Sequence, residues 1–262
     1  MTENNRKLPT EAEIRECLEL RHTKAVQDKL ATAKVAVCGL GGLGSAIAIA
    51  LARSGIGQLH LIDFDRVDLS NLNRQQYAVS QLGQPKPEAL ADEIRRFSPY
   101  AKIVTDFVKL TEENIPKLLA EDMYICEAFD KAEEKAMLTN CVLTELPGKY
   151  LVGSSGMAGY GDSNIIQTRK ITEHYYLCGD GVSEISEGRG LMAPRVMICA
   201  AHQANMIIRL IISTELETLL EPQHKLQKIG EKYGKERHME FRRERVFFQI
   251  YFRLRKVFHG AD

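Results

Sequence analysis

Apolar residues in this chain fall into short runs, punctuated by glycine and by charged stretches of helical period. That is the layout of alternating strands and helices. Lys34-Val35-Ala36-Val37-Cys38 stops at Gly39 and predicts a buried strand, and Ser45 to Arg53 (SAIAIALAR) follows as a helix of small residues. Gln58 to Asp63 predicts a second strand ending in an acid. Met123 to Phe129 predicts a third, ending at Asp130 with KAEEK after it. Lys149 to Gly153 (KYLVG) is another strand candidate, and Ile165 to Ile171 alternates as an antiparallel piece at the far end of a sheet would. Glu173 to Gly190 is polar and glycine-rich, which predicts a mobile crossover loop. Arg195 to Ile212 is apolar over helical length and predicts a core or subunit-interface helix, with His202 as a hydrogen-bonded core residue.

The ends differ from the middle. Residues 1–33 predict a charged helical arm. From Gln223 onward there are 11 Lys or Arg against 5 Asp or Glu. There Phe241, Phe248, Tyr251, Leu254 and Phe258 recur at mainly three- and four-residue spacing, so 214–262 predicts a basic amphipathic helical extension. Such a segment could dock on the body or a partner subunit, meet an acidic carrier surface, lie on an anionic membrane, or contact RNA.

The candidate chemistry lies between Val35 and Lys86. Gly39, Gly41 and Gly44 match G-x-G-x-x-G between a strand and a helix, where free N–H groups and the helix dipole favour phosphate. Asp63 follows Gly44 at 19 positions, about the offset at which an acid meets ribose hydroxyls. To that point a nicotinamide enzyme and an ATP enzyme look alike. Asp65, Asn71, Arg74 and Lys86 then crowd charge and amide groups just past the strand's end. A triphosphate losing pyrophosphate needs such cations, whereas a dinucleotide has only a pyrophosphate to neutralise. Asp130 is placed to hold magnesium on ATP or to cap the helix after it. The expected fold is α/β: a Rossmann-like, mostly parallel sheet with helices on both faces, extended by antiparallel strands.

The stretches GLGGLGS, LARSGIG, LIDFDRVDLSNLNRQ, GQPK and the strand-end Asp130 resemble the ThiF/MoeB/HesA family, relatives of the ubiquitin-activating enzymes. EAFDKAEEKAML, SSGMAGYGDSN and EGRGLMAPRVMICAAHQANM resemble its shorter, zinc-free ThiF branch. The resemblance covers about Arg21 to Ile212 and stops before the basic extension. It implies that 34–213 is an ATP-binding adenylyltransferase domain. The C-terminal glycine carboxylate of a ThiS-like ubiquitin-fold sulfur carrier would attack the α-phosphorus of ATP, as in thiamine thiazole biosynthesis. By motif position, Gly42 and Asp63 would hold the nucleotide. Ser70, Asn71, Leu72, Asn73, Arg74 and Lys86 would line its phosphates, and Asp130 would carry Mg2+. The resemblance also implies a homodimer and a crossover loop that covers the carrier's tail. Adenylylation of another acceptor (a different carrier or a tRNA base) and a non-catalytic docking scaffold are the alternatives.

Three departures from the family pattern stand out. The chain has no C-x-x-C, so the four-cysteine zinc site of some relatives is not expected. Ser186 stands six residues ahead of Met192 in the MAP motif, where several relatives carry a reactive cysteine; Cys178 is the nearest substitute, with packing its more ordinary role. Where relatives reach into the neighbouring subunit with an arginine, this chain has Arg21-His22-Thr23-Lys24, which makes Lys24, with Arg21 as rival, the candidate in trans. Composition adds bounds. The 35 basic and 35 acidic residues balance, so the body shows no bias toward nucleic acid. No run of about 18 apolar residues and no signal-peptide pattern is evident, and six scattered cysteines fit a reducing cytoplasm.

Overall fold

The structure, a computed structural model, describes residues 8–213 apart from Glu187 and Arg189; the segment expected to form the basic extension lies outside the described residues. The described chain to Ile212 forms one compact unit. It opens with two helices, α1 (Glu11–His22) and α2 (Lys24–Thr32). Thr10 and Glu13 start α1 with a reciprocal capping box. Thr23 ends one helix and begins the next: its N–H donates to the Glu19 carbonyl at 2.8 Å while its hydroxyl accepts from Val26 N at 3.4 Å. Its φ of 75° is strained for a β-branched residue.

Seven strands form one sheet: β1 (Lys34–Cys38), β2 (Gln58–Asp63), β3 (Lys102–Phe107), β4 (Tyr124–Glu127), β5 (Tyr150–Ser154), β6 (Gln167–Lys170) and β7 (Tyr175–Gly179). Their order is β3-β2-β1-β4-β5-β7-β6, parallel throughout except for the antiparallel β6–β7 pair at one edge. The chain moves one way from β1 and the other way from β4. Between those two strands lies the switch point at which open parallel sheets bind ligands beyond their carboxyl ends. Val35, Ala36, Val37 and Cys38 are wholly buried, as befits a central strand covered on both faces. Ala36 and Cys38 join Ile62 and Ile125 in a core with Ile115 of α5 (Ile115–Leu118) and Leu138 and Val142 of α6 (Ala132–Glu145). On the opposite face α3 (Gly42–Arg53) presses toward Val37, with α4 (Lys86–Arg95) and α7 (Ala193–Ile212) beside it.

Three expectations need correction. The segment expected as a mobile loop from Glu173 contains β7, because Tyr175, Tyr176 and Cys178 turn inward against β5 and the following helix. The strand expected over Met123–Phe129 ends at Glu127, although Ala128 N still donates to the Cys38 carbonyl at 2.9 Å. And α7 is long and apolar enough by composition to cross a membrane, contrary to the reading of its sequence; it is nonetheless a covering helix, with 56% of that apolar window buried. Its Gln203 is fully buried and donates to the carbonyls of Glu127 and Val152 at 2.9 and 3.0 Å, which ties α7 to β4 and β5.

Two buried polar clusters brace the sheet. His60, in the middle of β2, lies between Asp122 at Nδ1 and Asp106 at Nε2, both 2.7 Å away. Burial disfavours the imidazolium, but hydrogen bonds to the two carboxylates outweigh it and raise the pKa above 6.5. Nearer the site, Glu127 is 2% exposed and takes Lys135 Nζ at 2.8 and 3.1 Å, with Phe129 N at 2.8 Å on the same carboxylate. Lys135 also donates to Ser154 Oγ at 3.0 Å.

Both clusters make predictions. A raised folded-state pKa contributes stability that is fully present below the unfolded value and lost as pH rises through the folded one. The urea midpoint should therefore fall as pH rises above 6.5, and His60→Asn should flatten that slope; an unchanged slope would show that His60 does not titrate there. Lys135→Met leaves a buried carboxylate unpaired and should cost about 3–5 kcal/mol. Adding Glu127→Gln should recover much of that loss, which a double-mutant cycle by denaturant titration would measure.

Candidate active site

β1 delivers the chain to Gly39, whose φ of +89° turns it sharply. A Cβ there would stand 2.9 Å from both the Ala128 carbonyl oxygen and Phe129 Cδ1. Gly44 is tighter still: its Cβ would lie 1.8 Å from the Gly39 carbonyl oxygen. α3 can thus begin directly on the strand end, at Gly42, earlier than the Ser45 expected from its side-chain pattern. The first N–H groups of any helix have no intrahelical partner, and here they face the switch point. Ser45 closes the turn from behind, donating to the Gly41 carbonyl at 2.6 Å and accepting from Gln76 N at 3.2 Å.

Asp63, at the end of β2, is 7% exposed. One carboxylate oxygen accepts from Leu40 N at 2.6 Å, the other from Asp65 N at 2.8 Å. Each oxygen keeps lone-pair capacity for a hydroxyl donor. Lys86 opens α4 and is 4% exposed, so it is no ordinary surface cation. Its Nζ donates to Asp65 at 2.8 Å and stands 4.0 Å from Asp63. Its backbone N–H donates to the Asp65 carbonyl at 3.0 Å.

The segment after β2 includes a 3-10 turn, Leu69–Asn71, capped by Asp68, which accepts from Ser70 N at 2.8 Å and Ser70 Oγ at 2.6 Å. Asn71 Nδ2 rests on Ser70 Oγ at 3.2 Å, and the Asn71 carbonyl accepts from the N–H groups of Arg74 and Gln75. Arg74 comes back over the glycine turn: its Cγ is 3.2 Å and its Cδ 3.4 Å from where a Cβ on Gly42 would be. Its Nη1 donates to Asn73 Oδ1 at 2.9 Å, while its Nε is buried without a partner among the described residues. Gly39, Gly41, Gly42, Gly44, Asp63, Asp65, Arg74 and Lys86 are brought together; Leu72 follows the 3-10 turn and Asn73 is exposed beside Arg74.

Asp130 is exposed, past the end of β4 and one residue beyond the Phe129 ring that abuts Gly39. It does not cap α6, whose N-cap is Lys131 with no side-chain bond. Mg2+ is commonly held by one or two carboxylates together with substrate phosphates. An exposed carboxylate one residue past the ring that abuts Gly39 fits that use. Lys24, by contrast, is exposed on α2 and paired with Asp28 at 3.0 Å, and Arg21 is exposed on α1. Cys178 lies wholly buried on β7, opposite Thr168 of β6, and burial pushes its thiol up to about 11. It is packed, as its ordinary reading had it, and not poised as a nucleophile. His202 is half-buried and bonded through Nδ1 to Thr168 Oγ1 at 3.0 Å.

Several contributors were missed in the sequence. Tyr77 donates to the Leu40 carbonyl at 2.8 Å and is buried under the turn. Val196 of α7 approaches Gly42, its Cγ1 3.0 Å from a Cβ there. Asp180 and Arg195, both buried, form an ion pair; Arg195 also donates to the carbonyls of Gly161 and Asp162 at 2.8 and 2.6 Å. Lys135, on α6 eight positions after strand residue Glu127, was missed as well.

The chain is similar to known proteins. The model of the ThiF family matches residues 16–245. Molybdopterin-synthase adenylyltransferase of Salmonella typhimurium is 31% identical over 192 residues, covering 71% of this chain and 75% of that protein. tRNA threonylcarbamoyladenosine dehydratase of Bacillus subtilis is 34% identical over 158 residues, 59% of this chain and 61% of that one. Among solved structures, Escherichia coli tRNA N6-threonylcarbamoyladenosine dehydratase in complex with ATP superposes with a TM-score of 0.69 at 22% identity, over 79% of this chain and 97% of the other. That likeness establishes the Rossmann-like fold. The closer sequence relatives carry the enzyme class, an adenylyltransferase. By the span of the match and the residues that make it, the chain belongs to the ThiF family.

Proposed function

We propose that this chain adenylylates the C-terminal glycine carboxylate of a ThiS-like ubiquitin-fold sulfur carrier, in the assembly of the thiamine thiazole. The observation that carries the reading is the convergence of buried Lys86 and Asp63, half-buried Arg74 and the glycine turn at one switch point, with exposed Asp130 one residue past the Phe129 ring that abuts Gly39. The short, zinc-free ThiF pattern of the sequence favours the thiazole carrier over the molybdopterin one. In this proposal the adenylyltransferase domain is 34–213, preceded by the arm of 1–33 and followed by 214–262. The enzyme works in the cytoplasm as a homodimer, with Lys24 or Arg21 reaching the neighbouring site.

In the proposed reaction Asp63 accepts hydrogen bonds from the ribose, and the first amides of α3 take the phosphates. Ser70, Asn71 and Arg74 hold the triphosphate against the turn. A glycine carboxylate is already ionised at neutral pH, so no general base is required. Its oxygen attacks the α-phosphorus, the bond to the bridging oxygen breaks, and pyrophosphate leaves with the electron pair. Arg74 and Lys86 neutralise the charge that accumulates on the way. Lys86 has three donors and spends one on Asp65, which leaves two for phosphate. Asp130 would hold Mg2+, which when bound neutralises phosphate charge.

A tRNA base as acceptor is the second reading. It is favoured by the relatives named as tRNA threonylcarbamoyladenosine dehydratases and by the basic extension. ATP–pyrophosphate exchange separates the readings. Exchange that appears only with a carrier ending in Gly-Gly supports the first; none with any carrier, but AMP formation with tRNA, supports the second. Arg74→Ala should lower the exchange rate by well over tenfold, on the scale of a lost charge stabiliser. Asp130→Ala should abolish exchange while the circular dichroism spectrum and melting temperature stay as they were. Near-normal exchange in either variant would remove that residue from the site.

A further inference from the structure

The end of the DLSNLNRQ segment is fastened to the glycine turn through three successive residues. Gln75 N donates to the Asn71 carbonyl at 3.1 Å, Gln76 N to Ser45 Oγ at 3.2 Å, and the Tyr77 hydroxyl to the Leu40 carbonyl at 2.8 Å. The backbone around Gln75 is thereby fixed, and its side chain is lodged against the turn with 7% of the residue exposed. Among the described residues, and chain neighbours aside, Gln75 Nε2 is the one heavy atom within 4 Å of where a Cβ on Gly41 would be, at 3.9 Å. Gly41 is the N-cap of α3 and gives that helix no side-chain cap.

The other end of the same amide weakens the fold. Gln75 Oε1 is buried and has no hydrogen-bond partner among the described residues. A carbonyl oxygen can only accept, and sealing one off without a donor costs stability. A methionine has nearly the same reach and would fill the space without that deficit. What offsets the cost is a task for Nε2, a donor that lies where the unpaired N–H groups of α3 converge. Those N–H groups, the Arg74 guanidinium over Gly42 and the Gln75 amide nitrogen all donate. Such a set fits an anion with several oxygens.

Building on the nucleotide reading above, we propose that Gln75 is a further phosphate-binding residue, whose Nε2 donates to a phosphate oxygen of ATP at the amino end of α3. It differs from Arg74 and Lys86 in carrying no charge. A neutral donor adds a directed bond and places no third cation beside those two. Its part is to fix where the phosphate sits, while the cations neutralise the charge that leaves. The amide is thus kept at a cost to the fold because the ligand uses it.

Gln75→Met separates that role from packing. Calorimetry measures two ligands in the presence of magnesium: adenosine 5′-(α,β-methylene)triphosphate, and adenosine, which keeps base and ribose but has no phosphate. The substitution should weaken the analogue about tenfold or more, the scale of a lost hydrogen bond to a charged group. Adenosine should bind as before, and the melting temperature should hold or rise because an unpaired buried acceptor is gone. Gln75→Glu keeps the shape and sets a carboxylate beside the phosphate, so it should weaken the analogue further and again spare adenosine. An analogue bound by Gln75→Met as tightly as by the unsubstituted protein overturns the assignment. So does an equal loss for adenosine with a lower melting temperature, which would make the amide a brace for the turn. If the unsubstituted protein binds neither ligand, the nucleotide reading falls, and the phosphate contact with it.

Discussion

The site depends on one close approach, the packing of Gly44 against the carbonyl of Gly39. No side chain fits between them, since a Cβ would sit 1.8 Å from that oxygen. The helix can therefore start where the strand stops, and its unsatisfied amides come to lie at the switch point between β1 and β4. The turn is confined from the side as well, by the Ala128 carbonyl and the Phe129 ring. One of its amides, Leu40 N, is already given to Asp63, which fixes the acid of β2 relative to the turn. Everything charged around the site is placed from that reference.

Ion pairs anchored on buried side chains then hold loops that hydrophobic packing alone would leave loose. Lys86 with Asp65 and Asp63 ties the start of α4 to the end of β2. Glu127 with Lys135 ties the end of β4 to α6, and through Phe129 N it sets the loop that carries Asp130. Asp180 with Arg195 joins the start of one long connection to the helix at its far end. Buried pairs are weak sources of net stability, because desolvation offsets most of their attraction. What they supply here is geometry, since each joins elements that no strand ladder connects.

The fold was legible wherever a residue's task is local. The apolar runs of β1 and β2 show strands because both are buried on two faces, and Gly39 and Gly44 show the turn because a Cβ at either would collide with backbone. The antiparallel edge at β6 followed from the alternation of Ile165 to Ile171, though only Gln167–Lys170 is strand. β7 was hidden inside a glycine-rich stretch, because Tyr175, Tyr176 and Cys178 are buried only by partners distant in sequence. The same limit hid Tyr77, Val196 and Arg195. Their partners stand tens of residues away or carry no pattern of their own. Asn73 fell within a motif expected to line phosphates, but its two bonds run to a neighbouring arginine and to a carbonyl 118 positions on.

Ser186 limits how far the chemistry of this chain can run. It is exposed, and it stands at the position where several relatives carry a reactive cysteine. A serine hydroxyl has no accessible anionic form near neutral pH, unlike a thiol, whose thiolate is the nucleophile. The remaining thiols do not replace it. Cys38, Cys126, Cys178 and Cys199 are wholly buried, and burial raises each of their pKa values. Cys141 is buried on α6, and Cys17 is exposed on α1, an element remote in sequence from the glycine turn. On the proposed reaction, the acyl-adenylate is therefore the last covalent intermediate these residues can make. Sulfur must come to it on another molecule, and that molecule needs a way in.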